Sequence, residues 1–190
     1  GILSAVYRGS FWDHLFRLLS FVGNSLPNFL LSILLMYFLC IKVNLFPVIA
    51  TGSVQGLFLP AIALAVPMAS RFVRQIRAEV LEEIGRDYVT GLSARGVRSS
   101  WILFRNVLRN SMSSIMTIVA LAVGTLMGGS VVVESIFNWP GVGKLAMDAI
   151  SARDYPVIQG FVLVMAVIYV LINLFTDLFH HWLDPRIELE

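Results

Sequence analysis

The stretch IMTIVALAVGTLMGGSVVV, residues 115–133, decides the fold class. It carries no charge, and its 19 residues exceed the roughly 18 that an α-helix needs to cross a hydrocarbon layer. Three more blocks of this kind are predicted to span: Leu26–Val43, Leu57–Val73 and Val157–Phe179. Pro60 and Pro67 interrupt the second, which a bilayer helix tolerates because neighbouring helices satisfy the freed carbonyls. The whole chain agrees: mean hydropathy is +0.80 and only 14% of residues are charged, against about 25% in an average globular protein. The reading is an all-α membrane protein, a bundle of about four transmembrane helices. Buried helices of a large soluble protein are the weaker alternative.

The basic residues orient the bundle. Eight of the 14 Lys and Arg lie between Arg71 and Arg109. The positive-inside rule keeps such a loop cytoplasmic. Arg8, Arg17 and Arg186 put both ends of the chain on the same side, while Asn44–Gly56, with only Lys42 beside it, and Glu134–Pro156, with Lys144 and Arg153, face outward. A net charge of +2 gives no nucleic-acid footprint. The lone Cys40 provides no disulfide framework. The chain opens at Gly1 without a Met, and an additional N-terminal portion is expected.

Small residues recur every fourth position at Ala120, Gly124 and Gly128, and again at Ala61, Ala65 and Ala69. That spacing lets helix backbones approach closely, so both sets are expected to pack against other helices. In the outward segment, Pro140-Gly141 is read as a tight turn with positive φ at the glycine. Leu145, Ala146, Ala149 and Ile150 are read as the buried face of a short amphipathic helix. The GVGK at 141–144 is no phosphate loop, because Asn138 and Leu145 occupy places that the motif gives to Gly and Ser or Thr.

Catalytic patterns are missing. No nucleophile motif and no metal site is found: His180-His181 are read as interfacial, and Glu79, Glu82 and Glu83 as a solvated face in which Glu82 pairs with Arg86. Asp177 is the one carboxylate within a span and is held open as a functional group or a headgroup contact. Asn24, Ser25, Asn28 and Thr125 are candidates to line a path.

The segment from Arg86 to Ser111, RDYVTGLSARGVRSSWILFRNVLRNS, gathers arginines around Gly96. Ile76, Val80, Ile84 and Tyr88 predict that the second span runs on as a helix into the cytoplasm, and Gly96 permits a sharp change of direction. Ser99 is expected to cap a following helix with Trp101, Phe104, Val107 and Leu108 as one apolar stripe. The result is two short helices meeting at a glycine elbow.

DYVTGLSARG and SSWILFRNVLRNS resemble the cytoplasmic "EAA" loop of permease subunits in binding-protein-dependent ABC importers of the dipeptide, oligopeptide and nickel group. SLPNF at 25–29, GGSVVVESIFNWPGVGKL at 128–145, RDYPVIQG at 153–160 and LDPRI at 183–187 are similar to that group too, so the likeness covers essentially all of residues 1–190. Thr90, Gly91 and Leu92 stand where the broad pattern has an acid and two alanines. The resemblance implies a partial importer transmembrane domain, with two spans missing ahead of Gly1. It implies a coupling loop at about 86–111, with Asp87, Tyr88, Thr90, Gly91, Leu92, Ala94, Arg95 and Gly96 at its centre. Tyr88 and Leu92 would be the apolar contacts in a cleft of the ATPase. Implied partners are a companion permease subunit, two cytoplasmic ATPase subunits that hold ATP and Mg, an extracytoplasmic solute-binding protein and the bilayer of a bacterial or archaeal inner membrane. The cargo would be peptides or nickel, and this chain itself no enzyme. A passive channel and a membrane-embedded enzyme are the alternatives.

Overall fold

A computed structural model describes residues 1–49 and 54–183, the last four in backbone only. The LDPRI motif beyond Leu183 and the side chains of His180 and His181 lie outside the described residues. Among the described residues every regular element is helical. The order is α1 (Ile2–Val6), α2 (Phe11–Ser25), α3 (Asn28–Leu35) running into a π-helical segment Met36–Lys42, α4 (Val54–Ile84) and α5 (Asp87–Ala94). Then come α6 (Ser99–Trp101) with a π-helical segment Ile102–Val107, α7 (Leu108–Phe137), α8 (Val142–Ala152) and α9 (Tyr155–Leu183).

Among the described residues three helical runs are long and apolar enough to cross a bilayer: Val54–Ile84, Ser99–Phe137 and Tyr155–Phe179. The α4 helix holds both prolines in its interior. At 1.5 Å per residue its 31 residues reach about 46 Å, well past a hydrocarbon core of about 30 Å. The expected extension of the second span is therefore present, ending at Ile84 rather than passing through Tyr88. The first block departs from its reading as a straight span over Leu26–Val43. Helix Asn28–Lys42 is too short to cross alone, and it qualifies only together with α2, from which it bends by 94°. The cause is local. Pro27, at φ −61° and ψ 145°, stands at the start of α3; its ring disfavours helix at Leu26 and it has no N–H to donate.

The chain divides into two compact units: Gly1–Phe21, Ser70–Leu121 and Asn173–Glu190 form one, and Val22–Ala69 with Ala122–Ile172 form the other. Within the first, Ala5, Val80, Ile102 and Val107 are buried together, and Ile76, Ile84, Val89, Leu92 and Val97 pack on them. Within the second, Cys40, Leu59, Ala63, Val133 and Phe137 are buried, with Leu35, Phe46 and Trp139 around them. Cys40 is thus a core side chain. Charge sorts between the units. Ten arginines at described positions fall in the first, whereas the second holds Lys42, Lys144 and Arg153. On α9, Leu163 and Val170 are 65% and 63% exposed. A helix apolar all round needs lipid or other helices about it, not water.

Candidate functional site

The elbow is a helix terminus of defined type. The α5 helix starts after Arg86, with Asp87 in its first turn, where a carboxylate meets the positive end of the helix dipole. At its other end the Gly96 N–H donates to the Ser93 carbonyl (3.0 Å) and the Val97 N–H to the Leu92 carbonyl (3.2 Å). Gly96 sits at φ +76°. These are the two bonds of a Schellman motif, which asks for a left-handed residue at its turn. Leu92 and Val97, the pair that such a motif brings together, both pack on the first unit's core.

A buried carboxylate fastens this helix to its unit. Glu83 is 5% exposed. Its Oε1 accepts from the Tyr88 hydroxyl (2.8 Å) and from Asn110 Nδ2 (2.9 Å), and its Oε2 from Arg86 Nε (2.9 Å). The end of α4, the start of α5 and the start of α7 meet in one satisfied cluster. Burial and the adjoining Glu83 carboxylate push the Tyr88 hydroxyl above its ordinary range, so it stays a donor. Glu83 is therefore not on a solvated face, and it, not Glu82, pairs with Arg86. Tyr88 turns inward to this carboxylate, and Leu92 turns inward onto the first unit's core. Besides Ser93, the exposed residues of α5 are Asp87, Thr90, Gly91 and Ala94, continued by Arg95 and Gly96. Those offsets of three, four, seven and eight are one helix face.

Beyond the elbow, Arg98 rather than Ser99 precedes the first helical residue, and no side chain caps it. The apolar stripe is also repartitioned. Ile102 and Val107 are buried, while Trp101 and Phe104 are 49% and 69% exposed. In a π-helix bonds run from i to i+5, so residues five apart share a face and the ordinary helical spacing fails. Arg105 lies over the Trp101 ring, 5.7 Å from its centre.

The second unit has a close-packed turn of its own. The α7 helix ends in another Schellman motif with Asn138 at φ 52°, and Trp139 N–H donates to the Glu134 carbonyl (2.8 Å). Gly141 is extended at φ −108° and ψ 176°, so the positive φ expected there belongs to Asn138 instead. What Gly141 and Gly143 supply is room. A Cβ on Gly141 would collide with the Glu134 carboxylate, and one on Gly143 would stand 2.6 Å from the Val131 Cα. Glu134 Oε2 accepts the Lys144 N–H (3.0 Å), satisfying an amide in the first turn of α8. The buried face of α8 is Gly143, Ala146 and Ala149. Leu145 and Ile150, expected inside, are 55% and 53% exposed, because only small side chains fit against α7.

The family of binding-protein-dependent transport system inner membrane components matches residues 1–189. The chain belongs to this family. Among relatives of this transport component, a Brucella suis protein named as a peptide permease is 37% identical over 202 residues, covering 100% of this chain and 62% of that protein. The glutathione transport system permease protein GsiC of Salmonella typhimurium is 37% identical over 188 residues, 99% of this chain and 61% of that protein. GsiC of Escherichia coli is 36% identical over the same shares. The chain thus spans about three-fifths of the length of the curated relatives it matches.

In this transport component the small-residue sets behave differently. Gly124 faces the Tyr169 ring, whose edge would be 3.0 Å from an added Cβ, whereas Gly128 meets nothing within 4 Å. Gly129 makes the other close approach, to Asn28 Nδ2 and Leu64. Ala120 is half-buried. Ala61, Ala65 and Ala69 are exposed, and Ala63 is the alanine of α4 in the core. Of the path candidates, Ser25 and Thr125 are exposed and Asn24 and Asn28 half-buried. Asp177 is exposed on α9. Sequence reading missed Asp13. It is 1% exposed and takes both Nε and Nη2 of Arg77 at 2.8 Å, with Ser4 Oγ donating to the same carboxylate. Its signal was present in Ser10-x-x-Asp13, a capping-box spacing in which Asp13 N–H donates to Ser10 Oγ (3.3 Å).

Proposed function

We propose that this chain is part of a permease subunit of an ATP-driven importer for small peptides, and that the exposed face of α5 is where a cytoplasmic ATPase docks. The observation that carries the reading is the rigid mounting of that face. A glycine-capped helix of small outward residues is tied to α4 and α7 through Glu83, so a push on α5 passes into two spanning helices. The peptide and glutathione names of the relatives favour a peptide cargo over nickel. A second permease subunit would complete the path, with exposed Ala61, Ala65 and Ala69 available to it. An extracytoplasmic binding protein would deliver the solute.

The test is uptake by sealed membrane vesicles carrying the full-length subunit with its companion subunits. Labelled dipeptide or glutathione should accumulate only with internal ATP and external binding protein. Accumulation to the same level without ATP would make the complex a passive channel. The orientation has its own check. A reporter fused after Arg95 should be cytoplasmic and one after Gly143 external, as the arginines of the first unit require. Both reporters on one side would remove the arrangement.

A further inference from the structure

We propose that the cleft between α2 and α4 in the first unit is a binding site for the headgroup of an anionic phospholipid. Facing stripes build it. His14, Arg17, Leu18 and Phe21 come from one side of α2, and Arg74 and Arg77 from one side of α4, bordering an open cleft of about 470 Å³. The offsets of three, four and seven on α2, and of three on α4, put each set on a single helix face. Arg77 lines the cleft, and its bidentate pair with Asp13 ties α4 to α2. That pair is electrically spent, so the cleft's attraction for an anion comes from Arg17 and Arg74. Both are exposed, and neither has a carboxylate partner among the described residues. His14 Nδ1 donates to the Ser10 carbonyl (2.8 Å), which fixes the ring and leaves Nε2 for the cleft.

Two guanidinium groups without carboxylate partners among the described residues complement a phosphodiester, whose unesterified oxygens accept paired N–H bonds. The apolar half of the cleft selects a lipid over a free anion. Leu18 and Phe21 are 62% and 66% exposed, and Phe11 and Trp12 are bare on the same helix. Cations beside exposed aromatic and aliphatic side chains, on a helix adjoining a spanning one, are the composition of a headgroup-level anchor. The inference holds whatever solute the complex carries.

The measurement is lipid binding by the purified complex of full-length subunits in neutral detergent, titrated with phosphatidylglycerol or phosphatidylcholine and read by native mass spectrometry. Each arginine near an anionic headgroup adds roughly fivefold in affinity. Arg17→Gln with Arg74→Gln should therefore lower phosphatidylglycerol affinity by about 25-fold, leave phosphatidylcholine unchanged, and be rescued in part by the double Lys variant. Arg109→Gln, at another exposed arginine of the unit, should have no effect. If the double variant does not assemble, Arg17→Gln alone carries the test at the single-site fivefold. Equal phosphatidylglycerol affinity in wild type and variant overturns the proposal. So does displacement of the lipid by millimolar inorganic phosphate, which would make this a soluble-anion site. Loss of the companion subunit with lipid affinity intact would assign the cleft to a protein interface instead.

Discussion

On the docking role proposed for α5, Gly96→Val is expected to leave the chain inserted and folded in the membrane while abolishing most ATP-coupled uptake. No neighbour lies within 4 Å of a Cβ at this position, so the effect cannot be steric crowding. It is conformational. At φ +76° a β-branched side chain meets its own backbone, at a cost of about 1–2 kcal/mol. That alone shifts the local equilibrium away from the elbow by roughly 5- to 30-fold. The two bonds lost with it, to Ser93 and Leu92, are the ones that hold Val97 against the core. An α5 helix free to change direction presents its outward face at the wrong angle. The readouts are ATP hydrolysis stimulated by loaded binding protein and co-purification of the ATPase, both of which should fall together. Gly96→Asn should be milder, since Asn tolerates the left-handed region better than Val. Normal stimulation in Gly96→Val would reduce the arginine-rich loop to a topological anchor.

Spanning helices and the elbow were legible because each rests on a strong local rule. An apolar run of 19 residues and a glycine after a short helix leave few options. What escaped was decided by tertiary contacts. Glu83 lies three residues after Val80 on the face that carries Ile76, Val80 and Ile84, so it had to be buried if that stripe was. Charge alone made it read as solvated. Tyr88 reads as an outward apolar contact, yet its hydroxyl is one of three donors to the buried Glu83 carboxylate. Trp101 and Phe104 were placed inside by a 3.6-residue period that the π-helical segment does not obey. In α8 the amphipathic pattern places Ala146 and Ala149 inside correctly but sends Leu145 and Ile150 with them, and both are exposed. The partner surface accepts only small side chains, and Gly143, the closest of them to α7, carries no apolar side chain for such a pattern to register. The bend at Pro27 was available from the sequence and was overridden by hydrophobic length.

Gly143→Ala should be the most damaging single-methyl substitution in the second unit. The added Cβ would lie 2.6 Å from the Val131 Cα, 3.0 Å from its nitrogen and 2.9 Å from Glu134 Oε2. A flexible side chain can yield a few tenths of an ångström, but two of these three atoms are backbone of α7. Relief must come from lifting α8 away, which draws the Lys144 N–H from the Glu134 carboxylate and uncovers Ala146 and Ala149. Overpacking of this kind costs about 1–3 kcal/mol, and the released first-turn amide adds to it. The purified complex should melt roughly 5 °C lower. Gly160→Ala is the matched control: its Cβ would meet nothing within 4 Å, and alanine is the better helix former by about 1 kcal/mol. It should be neutral or slightly stabilising. Transport should separate the two in the same direction, because a displaced α8 alters the surface between α7 and α9 on which a binding protein would settle. Equal melting temperatures for Gly143→Ala and Gly160→Ala would mean that α8 does not rest on α7 at van der Waals distance, and that the glycines of the GVGK turn are there for some reason other than space.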